Sequence, residues 1–240
     1  MRLKISNRDA RRLWLDAQGL SAMPVGPVDP QRLVSIIEQL GFVQLDTLRV
    51  VARAHDHILW SRAQHYREGL LDELVKARSV FEHFTHDASV LPITFYPYWQ
   101  GQFSRMRTRL DKGRWTNAMP TKKECAAILK RIEKEGPLCT KDFEAAAKKT
   151  NHAWARPPHK YALDYFWYTG ELATCHRRNF IKHYDVADRV IPKKYRTRKP
   201  SDTKQRDWLC ENALHRLAFG TQGDIQRFWD AMDLNDVKPG

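Results

Sequence analysis

Gln44 and Asp46 are the residues of this chain whose types and spacing best suit chemistry. They stand two apart in the alternating run Phe42-Val43-Gln44-Leu45-Asp46, a short strand with Val43 and Leu45 on one face and Gln44 and Asp46 on the other. That places the pair roughly 6.5–7 Å apart along the backbone, close enough for an amide and a carboxylate to hold one water between them. The carboxylate can take the water's proton or stabilise a positive sugar carbon. The amide, donor and acceptor at once, fixes the water's direction. Neither role needs a metal, and no cofactor is expected. The same spacing also suits a structural use, in which Asp46 caps a helix starting at Thr47-Leu48 and Gln44 lies at the wet edge of the strand.

Other chemistry is poorly represented. The sequence has no Walker loop, no G-x-G-x-x-G, no H-E-x-x-H and no G-x-S-x-G. Nucleotide hydrolysis, dinucleotide chemistry, zincin proteolysis and the usual esterase fold therefore drop from the front rank. His55 and His57 alternate like ligands on a strand but lack a third ligand at a clear spacing. Cys125, Cys139, Cys175 and Cys210 lie far apart with no C-x-x-C pair, and read as reduced packing residues.

The elements that must position the pair can be read from caps and periodicity. Ser6 and Gly19 bracket a helix over 7–18 carrying Ala10, Leu13, Trp14 and Ala17. Asp29-Pro30 opens a second, with a stripe of Leu33, Val34, Ile36, Ile37 and Leu40 before Gly41. A helix over 67–76, an extended 80–85, a loop over 86–89, and a helix from Phe95 to Gly113 with an aromatic first turn and an arginine tail complete a first module. Between 121 and 190 the order is that of a winged helix-turn-helix. Thr121 caps the first helix, Thr140 a short second through Phe143 and Ala147, and Pro157-Pro158 opens the third. Two strands, 172–176 and 180–184, then flank a turn of Arg177-Arg178-Asn179, a basic tip suited to a groove or backbone. Pro192 to Pro200 reads as a mobile basic linker. Helices over 205–219 and from Thr221 through Trp229 look like the opening of a further helix-turn-helix that stops short, as a truncated chain would.

The expected fold is thus mainly α with small β-hairpins, an α+β class of tandem winged helix-turn-helix modules. The divisions are 1–115 with the Gln-Leu-Asp motif, 120–191, a linker at 192–204, and a truncated third module at 205–240. Charge points to the partner. Of 41 lysines and arginines in 240 residues, 26 fall between Arg105 and Arg206 against 11 acids, while the rest of the chain is slightly acidic. So concentrated a positive field suits the phosphates of a nucleic acid. Arg177, Arg178, Lys193, Lys194, Arg196, Arg198 and Lys199 are the expected contacts. No run is long and apolar enough for a membrane span, and Met1–Ser6 leads into a charged helix. A cytoplasmic, nucleoid-associated monomer is the expectation.

The segments 41–48 and 55–62, together with Phe81-Glu82-His83-Phe84-Thr85-His86-Asp87-Ala88-Ser89-Val90-Leu91-Pro92 and Tyr96-Pro97-Tyr98-Trp99, resemble the YcaQ/AlkZ-like DNA glycosylases. The resemblance runs over essentially the whole chain, although members of that family are longer. Their catalytic motif is a glutamine, an apolar residue and a second glutamine or aspartate, and Gln44-Leu45-Asp46 is similar to its aspartate form. The resemblance implies removal of N7-alkylated purines from double-stranded DNA and unhooking of interstrand crosslinks, with Gln44 and Asp46 catalytic; His86, in a loop that matches the family, is either a neighbour of the cleft or a histidine hydrogen-bonded in a buried turn. Two other readings stay open from the residues: a non-catalytic winged-helix regulator of transcription, and, on charge alone, an RNA-binding module.

Overall fold

The computed structural model describes residues 4–112, 118–146 and 156–237. Helix α1 (Asn7–Ala17) is capped by Ser6, whose hydroxyl accepts from the Asp9 amide at 3.1 Å. Helix α2 (Pro30–Leu40) is capped by Asp29 on the Arg32 amide at 2.7 Å, and buries Leu33, Ile36, Ile37 and Leu40. It stops at Gly41, where φ is +87° and a Cβ would lie 2.8 Å from Arg216 and Trp229. Only glycine suits both the left-handed turn and the close approach. That turn delivers the chain into β1 (Val43–Gln44).

Strand β1 pairs antiparallel with β3 (Ala88–Pro92), and β3 with β2 (Val80–Phe84), giving the order β1-β3-β2. The expected loop over 86–89 is shorter than the spacing suggests, because Ala88 and Ser89 already belong to β3. One face of the sheet sends Val43, Leu45 and Val90 into a core with α2, α3 (Ala54–Trp60) and α4 (Leu70–Lys76). The other sends Phe81 and Leu91 into a second core that holds Trp99 and Trp229, with Phe42 packed against it. A sheet covered on both sides was not legible in the strand's own alternation, which predicts one wet face. His55 and His57 sit on helix α3, so their alternation is not that of strand ligands.

Helix α5 (Tyr96–Asp111) buries Tyr96, Trp99, Gln102, Met106 and Leu110. Its Trp99 Nε1–H donates to His83 Nδ1 at 2.8 Å, and the opposite nitrogen, Nε2, lies 3.2 Å from the Tyr168 carbonyl. Since a carbonyl only accepts, the proton is on Nε2 and the ring is neutral. Protonating Nδ1 would set two donors face to face in a dry site, and burial accordingly pushes the His83 pKa down to about 3. A histidine whose folded value lies below its unfolded value of about 6.5 contributes stability that is whole above pH 6.5 and is lost as pH falls towards 3. Denaturant midpoints between pH 7 and pH 4 are expected to fall more steeply for the wild type than for His83→Gln. Equal slopes would mean that the histidine titrates freely.

Thr121 caps α6 (Lys122–Glu135) in a reciprocal box with Glu124. After β4 (Leu138–Cys139) a 3-10 turn spans Thr140–Ala146, where the sequence predicts a short helix reaching Ala147; that last residue lies outside the described residues. Helix α7 (Pro158–Tyr168) leads to β5 (Leu172–Arg178) and β6 (Ile181–Val186), in the sheet order β4-β6-β5. The hairpin turn is Asn179-Phe180, with φ of +51° and +65°, rather than Arg177-Arg178-Asn179. That shift of register takes Arg177 off the tip and into the strand.

The basic stretch after Ile191 is folded, not mobile. Short helix α8 (Ala187–Val190) precedes it and α9 (Lys193–Arg196) lies within it, and Gln100 Nε2 donates to the carbonyls of Arg196 at 3.3 Å and Arg198 at 3.0 Å. Arg196 pairs with Asp188 at 2.8 Å, and Arg198 donates to the Tyr98 hydroxyl at 2.9 Å. Helix α10 (Asp202–Leu217) follows, and its Gln205 accepts from the Gly101 amide at 2.7 Å. Helix α11 (Gln222–Trp229) buries Trp229, whose Nε1–H donates to the Leu209 carbonyl at 2.9 Å. Residues 205–237 thereby share a core with α5 and the first sheet.

Candidate active site

Strand β1 is held at both ends. Its start follows the Gly41 turn, and just beyond its end the Leu45 amide donates to the Ala88 carbonyl at 2.7 Å. The register sets Gln44 opposite Ser89, and Ser89 opposite His83, in one row across the sheet. Ser89 is buried, with its hydroxyl 2.8 Å from that of Thr85. The strand is shorter than the expected run over 42–46: Gln44 ends β1 and Asp46 follows two residues beyond it, both half-buried at the end of the sheet where the β2–β3 turn lies. The Gln44 amide makes no side-chain hydrogen bond among the described residues.

Asp46 is only partly committed. Its Oδ1 accepts from the Leu48 amide at 2.8 Å, closing an Asx turn. No helix starts there, since α3 begins at Ala54, so the helix-capping alternative fails. Oδ2 has no hydrogen-bond partner among the described residues. The geometry leaves one carboxylate oxygen and one amide at the same end of the sheet, both unspent.

His86 occupies the β2–β3 turn at the same end of the sheet. It is exposed, and its Nε2–H donates to the Phe228 carbonyl at 3.3 Å while its ring lies 6.3 Å from that of Phe42. The structure thus brings His86 to the face that carries Phe42 and Gln44, tied to the end of α11.

The hairpin arginines behave differently from one another. Arg177 does not face solvent: its guanidinium makes two bonds to Glu82, at 2.7 and 2.9 Å, and stacks 4.4 Å from the Phe180 ring. Lys182 reaches the same carboxylate at 3.2 Å. Burial pushes the Glu82 carboxyl up, but Lys182 and Arg177 outweigh it and hold the group below the ordinary range. Burial lowers Lys182 to about 8. The expectation that Arg177 contacts DNA is therefore corrected, because its guanidinium is largely buried and its charge is already matched by the Glu82 carboxylate. Arg178, Lys193, Lys194, Arg198 and Lys199 are exposed, and Arg196 is half-buried.

Sequence reasoning missed the loop 47–53. Leu48, Val50 and Val51 are apolar and exposed directly after Asp46, and Arg53 stacks 4.3 Å over Phe180 at the hairpin tip. Their signal was present as three aliphatics in a segment with neither helical nor strand period, between a strand and a helix. Beneath the loop a hollow of about 390 Å³ is lined by Leu45, His55, Asp56, Glu82, Arg177 and Phe180. His55 is stacked on Phe180 at 5.7 Å, and burial lowers its pKa.

The sequence model of the AlkZ-like DNA glycosylases matches residues 37–239 of this α+β chain. The chain belongs to that family. Among solved structures it is similar in fold to the DNA glycosylase AlkZ of Streptomyces sahachiroi, with a TM-score of 0.57 over 94% of this chain and 11% sequence identity. The match covers 65% of that protein's chain.

Proposed function

We propose that this chain is a monofunctional DNA glycosylase acting on N7-alkylated purines in double-stranded DNA, interstrand crosslinks included. Alkylation at N7 leaves the base cationic and ready to depart, so no strong general acid is required. As the N-glycosidic bond breaks, Asp46 stabilises the positive charge growing on the deoxyribose carbon. Gln44 orients a water, its hydroxyl adds to C1′, and its proton passes to the carboxylate. The bond electrons leave with the purine as a neutral base. The observation that carries this reading is the uncommitted oxygen of Asp46 beside the free amide of Gln44 at one end of the sheet. His86, at the same end of the sheet, is proposed as a neighbour of that cleft. The test is incubation with duplex containing 7-methylguanine, then alkali to cleave abasic sites; absence of cleavage would count against the reading.

The rest of the chain is proposed to grip the duplex from modules at 1–115, 120–191 and 205–240, the second and third used as winged helices. The folded basic segment between them presents Lys193, Lys194, Arg198 and Lys199, and Arg196 flanks it. Crosslinked bases cannot be swung easily into a closed pocket, so an open cleft is expected. With roughly six phosphate contacts the log–log salt slope of binding lies near about −5. Arg178→Ala should make it shallower by about 1, while Arg177→Ala should leave it unchanged and lower stability instead. An Arg177→Ala slope shift as large as that of Arg178→Ala would restore Arg177 as a phosphate contact. The chain is proposed to act as a monomer at the nucleoid; among the described residues no helix is long and apolar enough to cross a membrane.

The bond from the Leu48 amide to Asp46 favours a second reading, in which the aspartate only shapes the loop and the protein binds DNA without chemistry. That protein would prefer one operator sequence over random duplex and release no base.

A further inference from the structure

The loop that follows Asp46 exposes three aliphatic side chains in succession: Leu48 at 74%, Val50 at 97% and Val51 at 79%. Contiguous apolar exposure of this kind is uncommon on a folded surface and marks a contact site. The loop is not a loose strap. Leu48 is tied to the candidate catalytic group itself, through its amide on Asp46 Oδ1 at 2.8 Å. Arg49 is tied to Glu68 at 3.1 Å, and Arg53 is clamped over the Phe180 ring. Arg178, the last residue of β5, is exposed two positions before Phe180. An apolar ridge thus stands between cations, at a fixed distance from a carboxylate.

We infer that Leu48, Val50 and Val51 form a wedge that enters the base stack of the duplex beside the lesion, with the neighbouring arginines on the flanking phosphates. The family selects this occupant: the chain belongs to a family of DNA glycosylases, and a base stack, apolar between two rows of phosphate, matches an apolar ridge interleaved with Arg49 and Arg53. Aliphatic side chains unstack a base step when driven into a groove. Because Asp46 and Leu48 are joined by the Asx turn, insertion carries the carboxylate to the opened step, exposing the deoxyribose without full extrusion of a bulky base. Val50 and Val51 are positioning residues in this scheme, acting through the DNA and not on the bond that breaks. The inference rests on the glycosylase reading only for where the lesion lies.

The test uses the whole chain and a duplex carrying 2-aminopurine next to a stable abasic analogue. Wild type should raise the fluorescence as the step unstacks, and so should Asp46→Asn, since insertion precedes chemistry. The triple variant Leu48→Ser, Val50→Ser, Val51→Ser changes only exposed side chains and should leave the circular dichroism unaltered while the rise disappears. With 7-methylguanine as substrate, its base release from duplex should drop on the order of 10- to 100-fold, with release from a single strand retained. A flat signal with wild type, equal signals for wild type and triple variant, or equal loss on single and double strands would each overturn the wedge. A triple variant that altered instead the sedimentation of the free protein would assign the ridge to self-association and overturn it too. If wild type gives the fluorescence rise but frees no base, insertion stands and the glycosylase reading falls.

Discussion

Asp46→Asn is expected to slow release of 7-methylguanine from duplex DNA by about 10²–10⁴, the contribution of a single positioned base or charge-stabilising group. Duplex affinity should change little. The substitution is informative because asparagine keeps an oxygen that can accept from the Leu48 amide, so the Asx turn and the loop beyond it survive. Only the negative charge is removed. Asp46→Ala removes both, and comparing the two separates the carboxylate's chemistry from its hold on the loop. Single-turnover release of base, scored by alkaline cleavage, reads the effect directly. An Asp46→Asn protein as fast as wild type, with Asp46→Ala slow, would mean that the aspartate serves only to shape the loop.

Glu82→Gln is expected to cost about 3–5 kcal/mol of stability, the penalty for leaving buried cations without their counter-charge. Glu82 is almost wholly buried in β2, while Arg177 and Lys182 come from the hairpin nearly a hundred residues later. Removing the carboxylate strands both. Lys182, already lowered to about 8 by burial, can escape by losing its proton. A lysine with a depressed folded value destabilises the folded state below that value and ceases to do so as pH rises from about 8 towards its unfolded value near 10.4. The variant should therefore recover more stability than wild type on raising the pH from 7 to 9, and Lys182→Met added to Glu82→Gln should recover part of it at pH 7. Thermal midpoints at the two pH values check both statements. A Glu82→Gln midpoint within a degree of wild type would show that the ion cluster is solvated.

The local elements followed closely from caps and periods. Ser6, Asp29 and Thr121 each cap the helix they announce, and Gly41 turns the chain where the stripe of α2 ends. These signals are legible because a cap is settled by three or four residues in sequence. The hairpin was placed correctly but its first strand runs two residues further than expected, to Arg178, since Asn179 and Phe180 both take positive φ and a phenylalanine gives no warning of that. That extension moved Arg177 from a solvent tip to a buried pair.

The basic segment 192–199 failed for a different reason. Its charge predicts solvation, yet its backbone carbonyls are bound by Gln100, whose amide comes from a helix nearly a hundred positions earlier. No composition rule sees such a partner.

The sequence alone determined the short strand that holds Gln44 and leads to Asp46, the basic middle of the chain and the family resemblance, because alternation, charge and motif are properties of neighbours in the chain. Tertiary structure decided which groups stay free to act. Long-range pairing spent Arg177 on Glu82 and anchored the basic segment to α5, while it left one oxygen of Asp46 open beneath an apolar loop. Burial and partner choice are set by residues far apart in the chain, and only folding brings these together.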